Sequence, residues 1–182
     1  MNFQTFKMGA SFGVGLAILA TIASAGDLSK LEFRDRASGE IRALDTWAGG
    51  IVVLDFFAYW CAPCRPASAK IEAELAAHYE SVLNAHGAQV TVLAVNVESG
   101  RPEKTEKFIE DLGLSHVVDD IDGQALEALK ARGLPFLVVL DGTAVAAGKT
   151  DWRITYQRNG LESITKLRAA IEDINPGKEM SR

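Results

Sequence analysis

The chain has 182 residues, 48% of them hydrophobic and 24% charged, with a formal net charge of −5. Such a composition fits one globular domain with a full core and excludes a disordered chain, and 182 residues need no disulfide staple to fold. Without a long Lys/Arg run there is no electrostatic footprint for nucleic acid, which is set aside as a partner.

The first 25 residues differ from the rest. Lys7 is their only charge, Met8 to Ala23 is apolar or small, and Ala23-Ser24-Ala25 has the small-residue spacing of a signal-peptidase site. Residues 1–25 are therefore read as a signal peptide cleaved before Gly26. The alternative is an uncleaved anchor, although the apolar run is short for a span of about 20 residues. Residues 26–175 read as one domain, and 176–182 as a polar C-terminal tail.

Within that domain, "LEFRD" and "EIRAL" around "RASG" predict a β-hairpin, and "IVVLDFF" (51–57) predicts a strand buried on both faces. A helix is expected from Cys61 to Asn84, with Ile71, Leu75, Tyr79 and Val82 as its apolar stripe and Gly87 just beyond. "VTVLAVNV" is a second buried strand, followed by a helix from Pro102 to Gly113 and the short strand "HVVD". A helix from Gln124 to Arg132 comes next. "PFLVVL" and "TAVAAG" are read as flanking a hairpin turn at Asp141-Gly142, and a last amphipathic helix carries Leu161, Ile164, Leu167, Ile171 and Ile174. Alternating strands and helices ending in a hairpin and a helix define an α/β class with a mixed sheet.

The two cysteines, Cys61 and Cys64, stand in "FFAYWCAPCRP". As a staple the pair would be weak, because so short a loop contributes only about 2 kcal/mol in the chain-entropy estimate. As zinc ligands they lack partners at finger-like spacing. His78 is read as a half-buried packing residue, His86 lies near a helix C-terminus, His116 opens a strand, and none is assigned chemistry. A redox couple explains the local sequence best. Cys61 at the first turn of a helix would receive unpaired N–H groups and the positive end of the dipole, which stabilises a nucleophilic thiolate. Cys64, one turn on and buried, would resolve the mixed disulfide, with Pro63 stiffening the loop.

"WCAPC" after "VLDFFAY" resembles the active site of the thioredoxin superfamily. "GLPFLVVLDGTAV" is similar to the segment in which such proteins carry a cis-proline facing the disulfide, here Pro135, and Asp55 matches their buried acid. The N-terminal hairpin, the helix and strand inserted at about 102–119, and the export signal resemble the TlpA/ResA type of periplasmic thiol-disulfide oxidoreductase. The resemblance implies a thioredoxin fold, a mixed central sheet flanked by helices. It also implies a redox-active Cys61–Cys64 disulfide, Asp55 as proton acceptor, and Trp60, Pro63, Leu134 and Pro135 at the substrate surface. Three positions depart from the pattern. Ala67 stands where many TlpA/ResA relatives have Glu, Ala94 where thioredoxin has a Lys opposite the buried acid, and Leu134 where Thr or Val is usual.

The function this implies is reduction of disulfides in other exported thiol proteins, such as apocytochromes c or copper-assembly factors. No cofactor or metal is expected, and an inner-membrane dithiol protein would supply electrons. The protein would act as a monomer, in the periplasm after cleavage or tethered to the inner membrane facing it. Two alternatives stand beside this: a disulfide oxidase or isomerase, and a Cu(I)-binding module using both sulfurs.

Overall fold

The computed structural model describes residues 28–145 and 152–177. The signal-peptide reading and the end of the tail lie outside the described residues.

A 3-10 turn at Leu28–Lys30 leads into the hairpin β1 (Glu32–Asp35) and β2 (Ile41–Ala43), and a second such turn, Leu44–Trp47, leads to β3 (Ile51–Phe57). The chain continues through α1 (Cys64–Ile71), a π-helical stretch Glu72–Ala76, α2 (Ala77–Tyr79), β4 (Val90–Asn96), α3 (Pro102–Leu112) and β5 (Val117–Asp120). A 3-10 turn and α4 (Gln124–Ala128) precede β6 (Phe136–Asp141), β7 (Arg153–Asn159) and α5 (Ile164–Glu172). The described strands form one mixed sheet in the order β2-β1-β5-β4-β3-β6-β7. Strand β3 lies parallel to β4 and antiparallel to β6, which explains why all seven of its residues are buried.

Successive residues of β3 point to opposite faces. Val52, Leu54 and Phe56 join Leu93, Val95, Val138 and Leu140 in a core closed by the two N-terminal turns and α4. Ile51 and Val53 face the other way, against Ile71, Leu75 and Tyr79 and the buried side of α5, Ile164, Leu167 and Ile171. A smaller cluster at the C-terminal end of β3 gathers Phe57, Ala58, both cysteines, Ala94 and Phe108. Helix ends follow local chemistry. The Ser163 hydroxyl accepts from Lys166 N–H at 3.1 Å to cap α5, and Pro102 opens α3, which ends on left-handed Gly113.

Four expectations need correction. The helix after the cysteines ends at Tyr79, short of Asn84, and Val82 is 44% exposed, because the chain turns away once the stripe Ile71-Leu75-Tyr79 has been buried. His78 is exposed rather than half-buried, with its ring edge-on to Tyr79. Helix α4 stops at Ala128, where Lys130 takes a positive φ of 54° and the Ala131 and Lys130 N–H groups close on the Leu126 and Glu127 carbonyls. That is a Schellman ending built without glycine. The strand partnering β6 is Arg153–Asn159 and not "TAVAAG", whose Thr143 and Ala144 lie in a turn and whose last three residues lie outside the described set.

Candidate active site

The site grows from the C-terminal end of β3. After Phe57 the chain turns through Tyr59 and Trp60. Cys61 N–H then donates to the Ala58 carbonyl at 3.0 Å, and Cys64 N–H donates to the Cys61 carbonyl at 3.1 Å. Those two bonds make a tight turn that brings the cysteine Cα atoms to 5.3 Å, and the sulfurs are joined as a disulfide. Helix α1 begins at Cys64, so Cys61 lies in the turn just ahead of the helix rather than inside its first turn. No side chain caps α1, which leaves its first N–H groups and the positive end of its dipole directed at this loop. Cys64 is fully buried and Cys61 is 5% exposed, so of the two Cys61 is the one nearer to solvent.

The loop is held from α3. Phe108 stacks on Phe57 with ring centroids 4.9 Å apart, and the Arg65 guanidinium lies 5.0 Å from the Phe108 ring. Leu134, half-buried, packs on the cluster that contains both cysteines, and the Leu134–Pro135 peptide is cis. Pro135 itself is buried, and its carbonyl accepts from Gly160 N–H at 2.7 Å. Pro63 is exposed at the head of α1. Trp60 is 59% exposed, and its indole N–H donates to Glu98 Oε2 at 2.9 Å, fixing the ring towards the end of β4.

On β3, two residues before Phe57 of the cysteine cluster, stands Asp55, 1% exposed. Its register partners are Ala94 on β4 and Leu137 on β6, so no lysine stands opposite it. Ala94 also packs in the cysteine cluster. Burial pushes the Asp55 carboxyl up from 3.8 to about 7. The Ser68 hydroxyl opposes that shift and the Glu72 carboxylate adds to it. Among the described residues, neither Asp55 Oδ1 nor Ser68 Oγ makes a hydrogen bond of normal geometry, although both are buried. A carboxyl in this state changes its charge near neutral pH and can take a proton from a thiol.

The structure thus gathers Cys61, Cys64 and Leu134 in one cluster, with Asp55 buried on the strand that leads into it, while Trp60 and Pro63 lie on the outer surface and Pro135 is buried at the start of β6. Three residues that sequence reasoning passed over join them. Ser68 and Glu72 follow Cys64 at helical intervals of four, a spacing that was legible in "CRPASAKIE". Glu98 holds Trp60 across the sheet, and no local pattern marks it.

The family model described as thioredoxin-like matches residues 49–144, more than half of the chain. The chain belongs to that family. A curated relative, thioredoxin of Chlamydia trachomatis serovar D, is 36% identical over 64 residues, 35% of this chain and 53% of that one, so the chain spans about half the length of the curated relative it matches. Solved structures agree in fold. MTB dsbF in mixed oxidised and reduced forms superposes with a TM-score of 0.62 at 16% identity, covering 80% of this chain and 95% of that one. StoA from Bacillus subtilis gives 0.57 at 18% identity, over 76% and 93% of the respective chains. A secreted Mycobacterium tuberculosis disulfide oxidoreductase homologous to E. coli DsbE gives 0.58 at 16%, over 81% and 98%. The architecture around the disulfide is therefore the thioredoxin fold.

Proposed function

We propose that this chain is an exported thiol-disulfide oxidoreductase that reduces disulfides of other periplasmic proteins. The observation that carries the reading is the Cys61–Cys64 disulfide at the uncapped head of α1, with Cys64 buried and a buried carboxyl, pushed up to about 7, on the strand that leads into the loop. The names of the similar structures, a disulfide oxidoreductase homologous to DsbE among them, support the same chemistry.

In the reduced protein the Cys61 thiolate, favoured by the helix dipole, attacks a partner disulfide and releases one partner thiolate. Cys64 then loses its proton to Asp55 and attacks the Cys61 sulfur, which releases the second partner thiolate and re-forms the Cys61–Cys64 disulfide. Two electrons pass to the partner, and an inner-membrane dithiol protein returns them. Trp60, Pro63 and Leu134 are the surface on which the partner's chain lies, and Pro135 shapes the groove from beneath. The apocytochromes c and copper-assembly factors named above are the partners this reading favours.

Two measurements test the proposal: turnover on a protein disulfide with a dithiol donor, and the reduction potential of the pair. A value near about −270 mV supports a reductant, whereas one near about −120 mV would make the protein an oxidant and overturn the direction of electron flow. Tight stoichiometric Cu(I) binding with no turnover would replace the enzyme with a copper-binding module.

A further inference from the structure

Two cations are anchored on the cluster that holds the cysteines. The Lys104 ammonium of α3 lies 5.4 Å from the centre of the Tyr59 ring, and the Arg65 guanidinium lies 5.0 Å from that of Phe108. Phe108 is part of the cysteine cluster and Tyr59 packs against it, so each ring fixes a positive charge beside the disulfide loop. Charge is also sorted along α3, whose sequence is "PEKTEKFIEDL". Glu103, Glu106 and Glu110 recur at intervals of three and four and share one row, and Glu106 is turned to Arg36 next to β1. Lys104 and Lys107 form a second row with Asp111, and this row meets Arg65 of α1. Asp111 accepts from Lys107 at 2.9 Å and lies 3.4 Å from Arg65, while Lys104 has no ion pair among the described residues. Arg65, Lys104 and Lys107 are all exposed. With Asp111 as their one carboxylate, the α3 side of the loop is cationic, although the whole chain carries a net charge of −5. On the other side the Glu98 carboxylate is already taken up by the Trp60 and Gly100 N–H groups.

We propose that Arg65, Lys104 and Lys107 form a cationic rim that docks an acidic stretch of the partner polypeptide, so that the favoured partners carry Asp or Glu close to their own disulfide. The inference rests on the thiol-disulfide exchange of the reading above. In that step a bond forms between the Cys61 sulfur and one partner sulfur, the partner S–S bond breaks, and a partner thiolate leaves. A carboxylate held by the rim keeps the partner disulfide beside Cys61. Because the Tyr59 and Phe108 rings already fix two of the cations, little side-chain freedom is lost on docking. Opposite charge also speeds the encounter, and salt weakens it. A net charge of −5 would by itself favour cationic partners, so the rim and the field of the whole molecule predict opposite signs.

The reduced protein is mixed with three versions of one disulfide-bonded peptide, in which the residues flanking a cysteine are Asp, Lys or Ser. Each rate is divided by that of mercaptoethanol with the same peptide, which removes the peptide's own reactivity. At low ionic strength the acidic version should react faster than the basic one, and the preference should shrink as salt is added. Arg65→Gln with Lys104→Gln should lower the acidic-to-basic ratio by about tenfold, at about threefold for each exposed charged contact. Asp111→Asn frees the rim of its carboxylate and should raise the ratio by about threefold. Lys104→Arg and Arg65→Lys keep the charge and should keep the ratio. A wild-type preference for the basic peptide, an unchanged ratio in the double variant, or a ratio lost in the charge-conserving variants would overturn the rim. The neutral Ser peptide separates the two ideas: no exchange with it defeats the oxidoreductase reading, whereas normal exchange without a preference for the acidic peptide defeats the rim alone.

Discussion

The two ends of the central strand pair hold buried aspartates in opposite circumstances. Asp141, on β6 beside Ile51, is 2% exposed, and its Oδ1 accepts from the Thr143 N–H at 2.9 Å and the Thr143 hydroxyl at 2.6 Å, while Oδ2 pairs with Arg153. The neighbouring turn is equally well filled. A Cβ on Gly142 would collide with the Trp152 ring, and the Trp152 indole N–H donates to Asp45 at 2.8 Å. Asp55, at the other end and just as buried, has an orphaned Oδ1, a carboxylate for a neighbour and no cation opposite. Burial alone does not make a carboxylate a proton acceptor. At Asp55 burial raises the carboxyl's pKa because few donors offset it, since each hydrogen bond to the ionised form would lower it again.

The sharpest break of the comparison is chemical. Cys61→Ser should lower turnover on a protein disulfide by orders of magnitude, on the order of 10³ or more, and Cys64→Ser should stop after one exchange and accumulate mixed disulfides. Asp141→Asn should leave the rate unchanged. The check is steady-state turnover together with non-reducing electrophoresis, and rapid alkylation of Cys64 before Cys61 in the reduced protein would reverse the two roles.

Stability gives the next largest effect, with opposite signs at the two ends. A folded pKa raised from 3.8 to about 7 means that native Asp55 binds more protons than the unfolded chain does between those values. Stability is then highest below about pH 4, falls as pH rises through about 7, and stays low above it. The full shift corresponds to roughly 4 kcal/mol before the site relaxes. Asp55→Asn should remove this slope and raise stability at pH 8 by about 2–4 kcal/mol, read as denaturant midpoints at pH 5 and pH 8. Asp141→Asn should do the reverse and destabilise. It keeps an acceptor for Thr143 but gives up the charge facing Arg153, whose side chain is 42% exposed, so the loss is only about 1–2 kcal/mol at either pH.

The same contrast explains what was legible in the sequence. Strands β3, β4 and β6 are continuous apolar runs because they are buried on both faces, and the cysteine motif is local, so the core and the disulfide could be read from neighbours in the chain. Matching Asp55 to Ala94 also agrees with the register. Strand β7 could not be read so. As an edge strand it has only Ile154 and Tyr156 as part-buried apolar residues among polar ones, and "TAVAAG", more apolar, took its place. Helix ends failed where tertiary contacts override local signals: Lys130 supplies a left-handed residue inside the helix expected to reach Arg132, and exposed Val82 mimics a stripe that had already ended. Glu98 was invisible for a different reason, since its bond to Trp60 spans 38 residues.

Glu98 also offers the finest test of the rule that orphaned carboxylates mark the mechanism, for it lies at the active-site end yet is satisfied. Its Oε2 accepts from the Trp60 indole at 2.9 Å and its Oε1 from Gly100 N–H at 2.6 Å. Its carbonyl accepts from Asn96 Nδ2 at 2.8 Å, and that amide also donates to Asp119 at 2.7 Å. The Trp60 hydrogen bond, then the Gly100 N–H and the Arg101 charge, hold the Glu98 carboxyl below the usual carboxylate range. It is therefore ionised across neutral pH and has no proton to exchange there, and the bond to Trp60 is lost only as pH falls through that lowered pKa. The rule then assigns Glu98 the work of steadying the exposed Trp60 ring, on which the partner of the proposed reaction would lie. Glu98→Ala should raise KM for a protein disulfide by about threefold, the size expected of one exposed charged contact, while kcat and exchange with a small-molecule disulfide stay unchanged. Faster depolarisation of the Trp60 fluorescence, measured in a variant whose other tryptophans, Trp47 and Trp152, are replaced by Phe, should accompany the change. A fall in kcat on the small disulfide would mean that a fully bonded, exposed carboxylate takes part in the chemistry, and hydrogen-bond satisfaction would no longer separate the mechanism from the scaffold.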